Sequence, residues 1–161
     1  MATIWQFLQF LSLGVWVGAA LFVGVLLAPG AFANLPTREL AGNVVGMALV
    51  RLHLLGYACG AVYLLAAVMA ARSASALARP AAVCVLAMLL LTAAAQFGVN
   101  TKVGELREQM RAEFGSVDAT PAGHLLRGQF GRLHGVSSAL ELTVLLLGAA
   151  ALFLTVRSLS E

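Results

Sequence analysis

Residues 4–28 read IWQFLQFLSLGVWVGAALFVGVLLA, twenty-five positions without a charged side chain. At about 1.5 Å of helical rise per residue, such a run crosses a hydrocarbon core of about 30 Å. Inside lipid the backbone must satisfy its own polar groups, so a single run of this kind reads as a helix. Three further stretches fit the same reading. Residues 52–71 lie between Arg51 and Arg72, residues 81–99 between Arg79 and Lys102, and residues 133–156 between Arg132 and Arg157. The last carries one acid, Glu141. The expected fold is therefore all-α: a single four-span membrane domain over residues 1–161, an integral membrane four-helix bundle.

Composition agrees with the spans. Of 161 residues, 61% are apolar and only 11% charged, with a mean hydropathy of +0.93. Too little polar surface remains to wrap a water-soluble globule, which excludes a soluble enzyme. The net charge of +3 comes from Lys and Arg at the ends of apolar blocks, where they anchor spans to membrane lipid, so no nucleic-acid partner is expected.

The punctuation between spans adds detail. Pro29-Gly30 predicts the end of the first helix. Ala31-Phe32-Ala33 resembles a signal-peptide cleavage site, but the basic leader is missing and the apolar run exceeds a signal's, so an uncleaved helix is expected. Asn34 to Glu39, with cap-forming residues, Pro36 and an acid, predicts a helix start near Asn34 and a helical extension before the membrane at 37–50. Val103, Leu106, Met110 and Phe114 recur in steps of three and four, so the third helix should run on past the membrane to a C-cap at Gly115. Residues 116–123 then form the longest loop. Seven Lys and Arg on the side of the two long linkers, against three on the other, place those linkers in the cytoplasm.

Arg-Leu-His occurs twice, at 51–53 and 132–134, each copy opening a span from the same side. That spacing of half a chain suggests a parallel repeat of two hairpins. Gly14 with Gly18, Gly42 with Gly46, and Gly56 with Gly60 are small-xxx-small pairs. They suit close packing within the chain, or a homodimer or larger membrane complex.

Glu141 is the costliest residue in the chain, because an acid inside a span needs a partner, water or a proton. His134, Ser137, Ser138 and Glu141 share a helix face and lead inward from Arg132. Arg51, His53 and Asn100 can meet that face from neighbouring helices, so the candidate ligand-binding set is Arg51, His53, Asn100, Arg132, His134, Ser137, Ser138 and Glu141. Several uses stay open. The stripe can be a structural hydrogen bond, or a site for a proton, cation or substrate. His53, His134 and Glu141 would suit a divalent metal ion. His53 and His134 would alternatively ligate a haem b iron axially in an electron-transfer bundle, with Arg51 and Arg132 toward the propionates. Gln6, Gln9, Gln96 and Asn100 are read as satisfying one another, Cys59 and Cys84 as free thiols, and His124 as solvated. No Ser-His-Asp order, phosphate loop or paired catalytic carboxylates appears, so a non-enzymatic membrane protein is expected, a purely structural accessory subunit being the remaining alternative.

Asn100-Thr101-Lys102-Val103-Gly104-Glu105-Leu106 and the stretch from Phe130 to Leu142, with its His-Gly-x-Ser-Ser string, resemble the transmembrane protein 205-like family. Its bacterial members carry a membrane domain of unknown function. The resemblance implies four spans, a bacterial inner-membrane location and handling of metal or cationic solutes. Glu141 departs from the asparagine more usual there.

Overall fold

The computed structural model describes residues 2–160, with side chains for 3–158. Four long helices make up the chain: α1 (Thr3–Asn34), α2 (Arg38–Ala71), α3 (Pro80–Phe114) and α4 (Leu125–Ser158). Each contains an apolar stretch long enough to span a bilayer, and no strand occurs among the described residues. Leu26, Leu65, Leu90, Phe97, Leu146 and Phe153 are between 61% and 73% exposed. So apolar an outer surface suits lipid, not water.

Two helix ends differ from the sequence expectation, and both differences have local causes. Pro29-Gly30 does not stop α1, which continues to Asn34. Proline in a helix clashes with the carbonyl four residues back. Just ahead of it, Phe22–Leu27 widen into a π-helical turn and Ala28 donates to the Val23 carbonyl five residues back, an arrangement that shifts the carbonyls Pro29 would meet. The side chain of Asn34 closes α1 by donating to the Gly30 carbonyl at 2.8 Å, so it does not cap the next helix. Leu35, extended before Pro36 as residues preceding proline tend to be, ends the helix. Thr37 is the true N-cap of α2: its hydroxyl accepts from the Leu40 amide at 3.1 Å. At the far end of α3, Gly115 adopts the expected left-handed C-cap, φ 79°, and donates to the Arg111 carbonyl.

In cross-section the helices form a square. α1 and α3 each pack along both α2 and α4, leaving α2 and α4 opposite one another across the centre. Trp16, Leu13, Val17, Tyr63, Val85, Met88, Val144 and Ala151 fill that centre. Backbones approach closely where glycine allows it. A Cβ on Gly56 would come within 2.6 Å of the Trp16 ring, and one on Gly148 within 2.6 Å of Val17. Gly14 and Gly18 face open space. Both α1 and α3 contain a π-helical segment. The two Arg-Leu-His copies nevertheless differ: His53 is buried and His134 exposed.

The expected extensions are helical and hold each other. Arg111 pairs with Glu39 across the gap and with Glu108 on its own helix. Arg107 lies over Gly42, donating to its carbonyl at 3.4 Å and to Asn43 Oδ1 at 3.2 Å, with its guanidinium 5.9 Å from the Phe130 ring centre. Glu39 also accepts from the Val117 amide at 2.9 Å, and its own amide donates to Asp118 at 3.1 Å, pinning the long loop to the start of α2. His124 is not merely solvated: Nδ1 accepts from the Leu126 amide, and the ring stands edge-on to Phe114, closing the loop at α4.

The Arg111 hydrogen bond, then that from Val117, holds the Glu39 carboxyl below its ordinary value of 4.5. A depressed acid stabilises the fold above its unfolded value and loses that contribution as pH falls through the folded one. Wild-type protein in detergent should therefore lose thermal stability as pH drops below 4.5 more steeply than Glu39→Gln. Parallel acid profiles for the two proteins would remove Glu39 from the account of the extensions.

Candidate functional site

Across the diagonal of the square, between α2 and α4, a histidine meets an acid. His53 is 2% exposed, and its Nε2 lies 2.6 Å from Glu141 Oε1. Its Nδ1 lies 2.6 Å from Gln96 Oε1 on α3. Both imidazole nitrogens therefore face oxygen. Nδ1 donates its proton to the glutamine carbonyl, which leaves one proton between Nε2 and the carboxylate. Imidazolium with carboxylate and neutral imidazole with carboxylic acid are the two forms of that arrangement, and each holds the same number of protons. Either form is neutral as a pair, which answers the cost of an ionised acid inside a span.

The sequence places these groups by simple periodicity on two of the three helices. On α4 the buried row is Ser137, Val144, Gly148, Ala151 and Thr155, and Glu141 flanks it. On α3, Thr92, Gln96 and Asn100 repeat every four residues. Gln96 and Asn100 stand in a second π-helical stretch, Ala94–Asn100, whose wider turn changes the direction in which later side chains leave the helix. About one turn outward from Glu141, Ser137 donates to Asn100 Oδ1 at 3.1 Å. One turn deeper on α2, the Tyr57 hydroxyl is buried without a hydrogen-bond partner among the described residues. Further along the same diagonal, Tyr63 donates to Thr155 at 2.7 Å while Thr155 donates to the Ala151 carbonyl. Polar contacts thus tie α2 to α4 at two depths.

Of the eight expected site residues, the structure brings together His53 with Glu141, and Asn100 with Ser137. Arg51, Arg132, His134 and Ser138 are exposed and do not join them. His134 instead stacks on Phe130, ring centres 6.2 Å apart and nearly parallel. Three residues before Ser137, it is turned by about 60° from the buried row. The proposed ligand trio of His53, His134 and Glu141 is therefore not assembled. Among the described residues no three His, Cys, Asp or Glu side chains are placed to hold a metal ion. Haem fits no better: both nitrogens of His53 are engaged, and the second histidine points away. Cys59 and Cys84 are free, as expected.

Gln96 was the residue whose role the sequence reading missed. Nor do the amides satisfy one another as expected: Gln9 donates to the Trp5 carbonyl, Gln96 serves His53 and Asn100 serves Ser137. The four-residue spacing of Thr92, Gln96 and Asn100 was the available signal for a polar row facing inward.

A family profile described as a domain of unknown function (DUF4149) matches residues 11–112. The chain belongs to that family. The match takes in His53, Gln96 and Asn100 and ends before Ser137 and Glu141. It also stops short of residues 130–142, the more specific part of the resemblance to the transmembrane protein 205-like family. No curated protein and no solved structure matches the chain.

Removing the acid leaves the sealed histidine nitrogen without its partner. Glu141→Ala should destabilise the detergent-solubilised bundle by about 1 to 3 kcal/mol, whereas His134→Ala, an exposed site, should change stability by no more than about 0.5 kcal/mol. Reversed effects in an unfolding titration would show that the wrong histidine has been paired with the acid.

Proposed function

We propose that this membrane protein uses the His53–Glu141 pair to bind and pass a small cation, the proton being the cation the geometry suits best. The supporting observation is the 2.6 Å contact between Nε2 and Oε1 on opposite helices of the bundle. A single proton shared there can leave toward either partner, and Gln96 holds the ring in place during the exchange. Glu141 is 23% exposed against 2% for His53, so a proton would reach or leave the pair from the acid's side. Asn100 and Ser137 extend the polar line toward the helical extensions. A metal ion is a poorer occupant, because His53 would have to surrender a 2.6 Å hydrogen bond before it could donate a lone pair.

We place the protein in a bacterial inner membrane, with the two long linkers in the cytoplasm on the strength of the Lys and Arg count. We also keep the link to the transmembrane protein 205-like family, whose implied handling of cationic solutes agrees with an acid–histidine pair inside the bundle. The open faces of Gly14 and Gly18 favour a second reading: a homodimer or a larger membrane complex in which this chain is a structural subunit.

The two readings separate in vesicles. With the protein reconstituted and a pH gradient imposed, wild-type vesicles should lose the gradient faster than empty ones, and Glu141→Gln should abolish the difference, as read by an internal pH-sensitive dye. Equal rates for wild type and Glu141→Gln would leave the pair with a structural role alone.

A further inference from the structure

Beyond the buried pair, a separate feature stands where the bundle leaves the membrane. α3 emerges at Asn100 to Lys102 and α4 enters at Arg132 to Leu133, and between them lies a cleft of about 370 Å³. It is shallow and open outward, a shape that suits a headgroup lying against the helices more than an enclosed ligand. Leu106 and Leu133 give it apolar walls, Gln109 and Gln129 offer amide donors, and Lys102 and Arg132 supply the cations. Neither cation makes an ion pair among the described residues, whereas Arg107 and Arg111, on the same extension, are engaged with α2. Glu105 lines the cleft as well, which leaves one net positive charge.

We propose that this cleft binds the headgroup of an anionic membrane phospholipid. The depth is right: the two cations flank the ends of apolar spans, where headgroups lie. The charge is right too. One net positive charge matches the single negative charge of a phosphodiester, and two amides and a guanidinium are donors for its oxygens. A phospholipid also has acyl chains that the bilayer around the spans holds, an anchor that free phosphate lacks. Arg132 and Lys102, set outside the buried site, thereby acquire a role independent of the proton pair.

The test uses the full chain in a non-ionic detergent. Its unfolding temperature is followed as phosphatidylglycerol, phosphatidylcholine or sodium phosphate is added. Phosphatidylglycerol should raise it in a saturable manner, since a ligand of the folded form stabilises in proportion to its occupancy. Phosphatidylcholine and phosphate should produce little shift. Lys102→Gln combined with Arg132→Gln should lose most of the phosphatidylglycerol shift, while Arg51→Gln, an exposed cation outside the cleft, should retain it. An equal shift with phosphatidylcholine, an equal shift with phosphate, or an undiminished shift in the double variant would overturn the proposal. Should the double variant not fold, native mass spectrometry of the wild type decides: preferential retention of phosphatidylglycerol over phosphatidylcholine supports the site, and equal retention refutes it.

Discussion

A carboxylate inside lipid has to be answered by a partner, and in this bundle the answer is a histidine from the opposite helix. Neighbouring helices in a membrane gain little from burying apolar area against one another, because lipid tails are as apolar as leucine. Close packing and internal polar contacts must hold them. The contact between His53 and Glu141 does so across the diagonal, where α2 and α4 otherwise touch little, and Gln96 adds α3 to the same point. Close approach of Trp16 to Gly56 brings α1 alongside. All four helices thus converge near one depth, with Tyr63 and Thr155 repeating the diagonal tie farther in.

Outside the membrane a different chemistry takes over. Water competes there for exposed ion pairs, and isolated ones contribute little. The extensions rely instead on a network in which Arg111, Glu39, Glu108, Asn43 and Arg107 share partners, and on the loop amides that Glu39 and Asp118 engage. Burial holds the Arg107 guanidinium below its ordinary pKa, yet arginine stays charged throughout the working range of pH. It lies against Gly42, where a side chain as small as alanine would collide with the guanidinium. That use absorbs one member of the Gly42-xxx-Gly46 pair within the chain, as Gly56 and Gly60 are absorbed by Trp16 and Leu89. Of the three glycine pairs, Gly14 with Gly18 is the one that faces outward.

The spans, both extensions, the Gly115 cap and the isolation of Glu141 were legible because each follows from one short-range rule: run length, periodicity, backbone sterics or the cost of charge in lipid. Which histidine meets the acid was not. An ideal helix puts His134 within about 20° of Glu141 around the axis, so sequence spacing favours His134 as a neighbour, yet the acid's partner comes from a helix 88 residues away in the chain. Pairing across a bundle depends on how each helix is rotated against its neighbours, which composition does not announce; on α3 the π-helical stretch Ala94–Asn100 further alters the direction in which Gln96 leaves the helix. Pro29 illustrates the same limit. Its local preference is to end a helix, and the widened turn before it allows the helix to continue.

The 2.6 Å contact makes His53 and Glu141 a coupled unit inside the bundle, not two independent polar residues. A double-mutant cycle with His53→Phe and Glu141→Leu, measured by reversible unfolding in detergent, tests it most directly. Each single variant strands a buried polar group, whereas the double variant replaces both with apolar side chains, so the account predicts strong non-additivity, with a coupling of about 0.5 to 3 kcal/mol and a double variant no less stable than the worse single one. Additive losses, with the double variant destabilised by the sum of the two, would mean that the residues do not meet, and the account would be wrong at its centre.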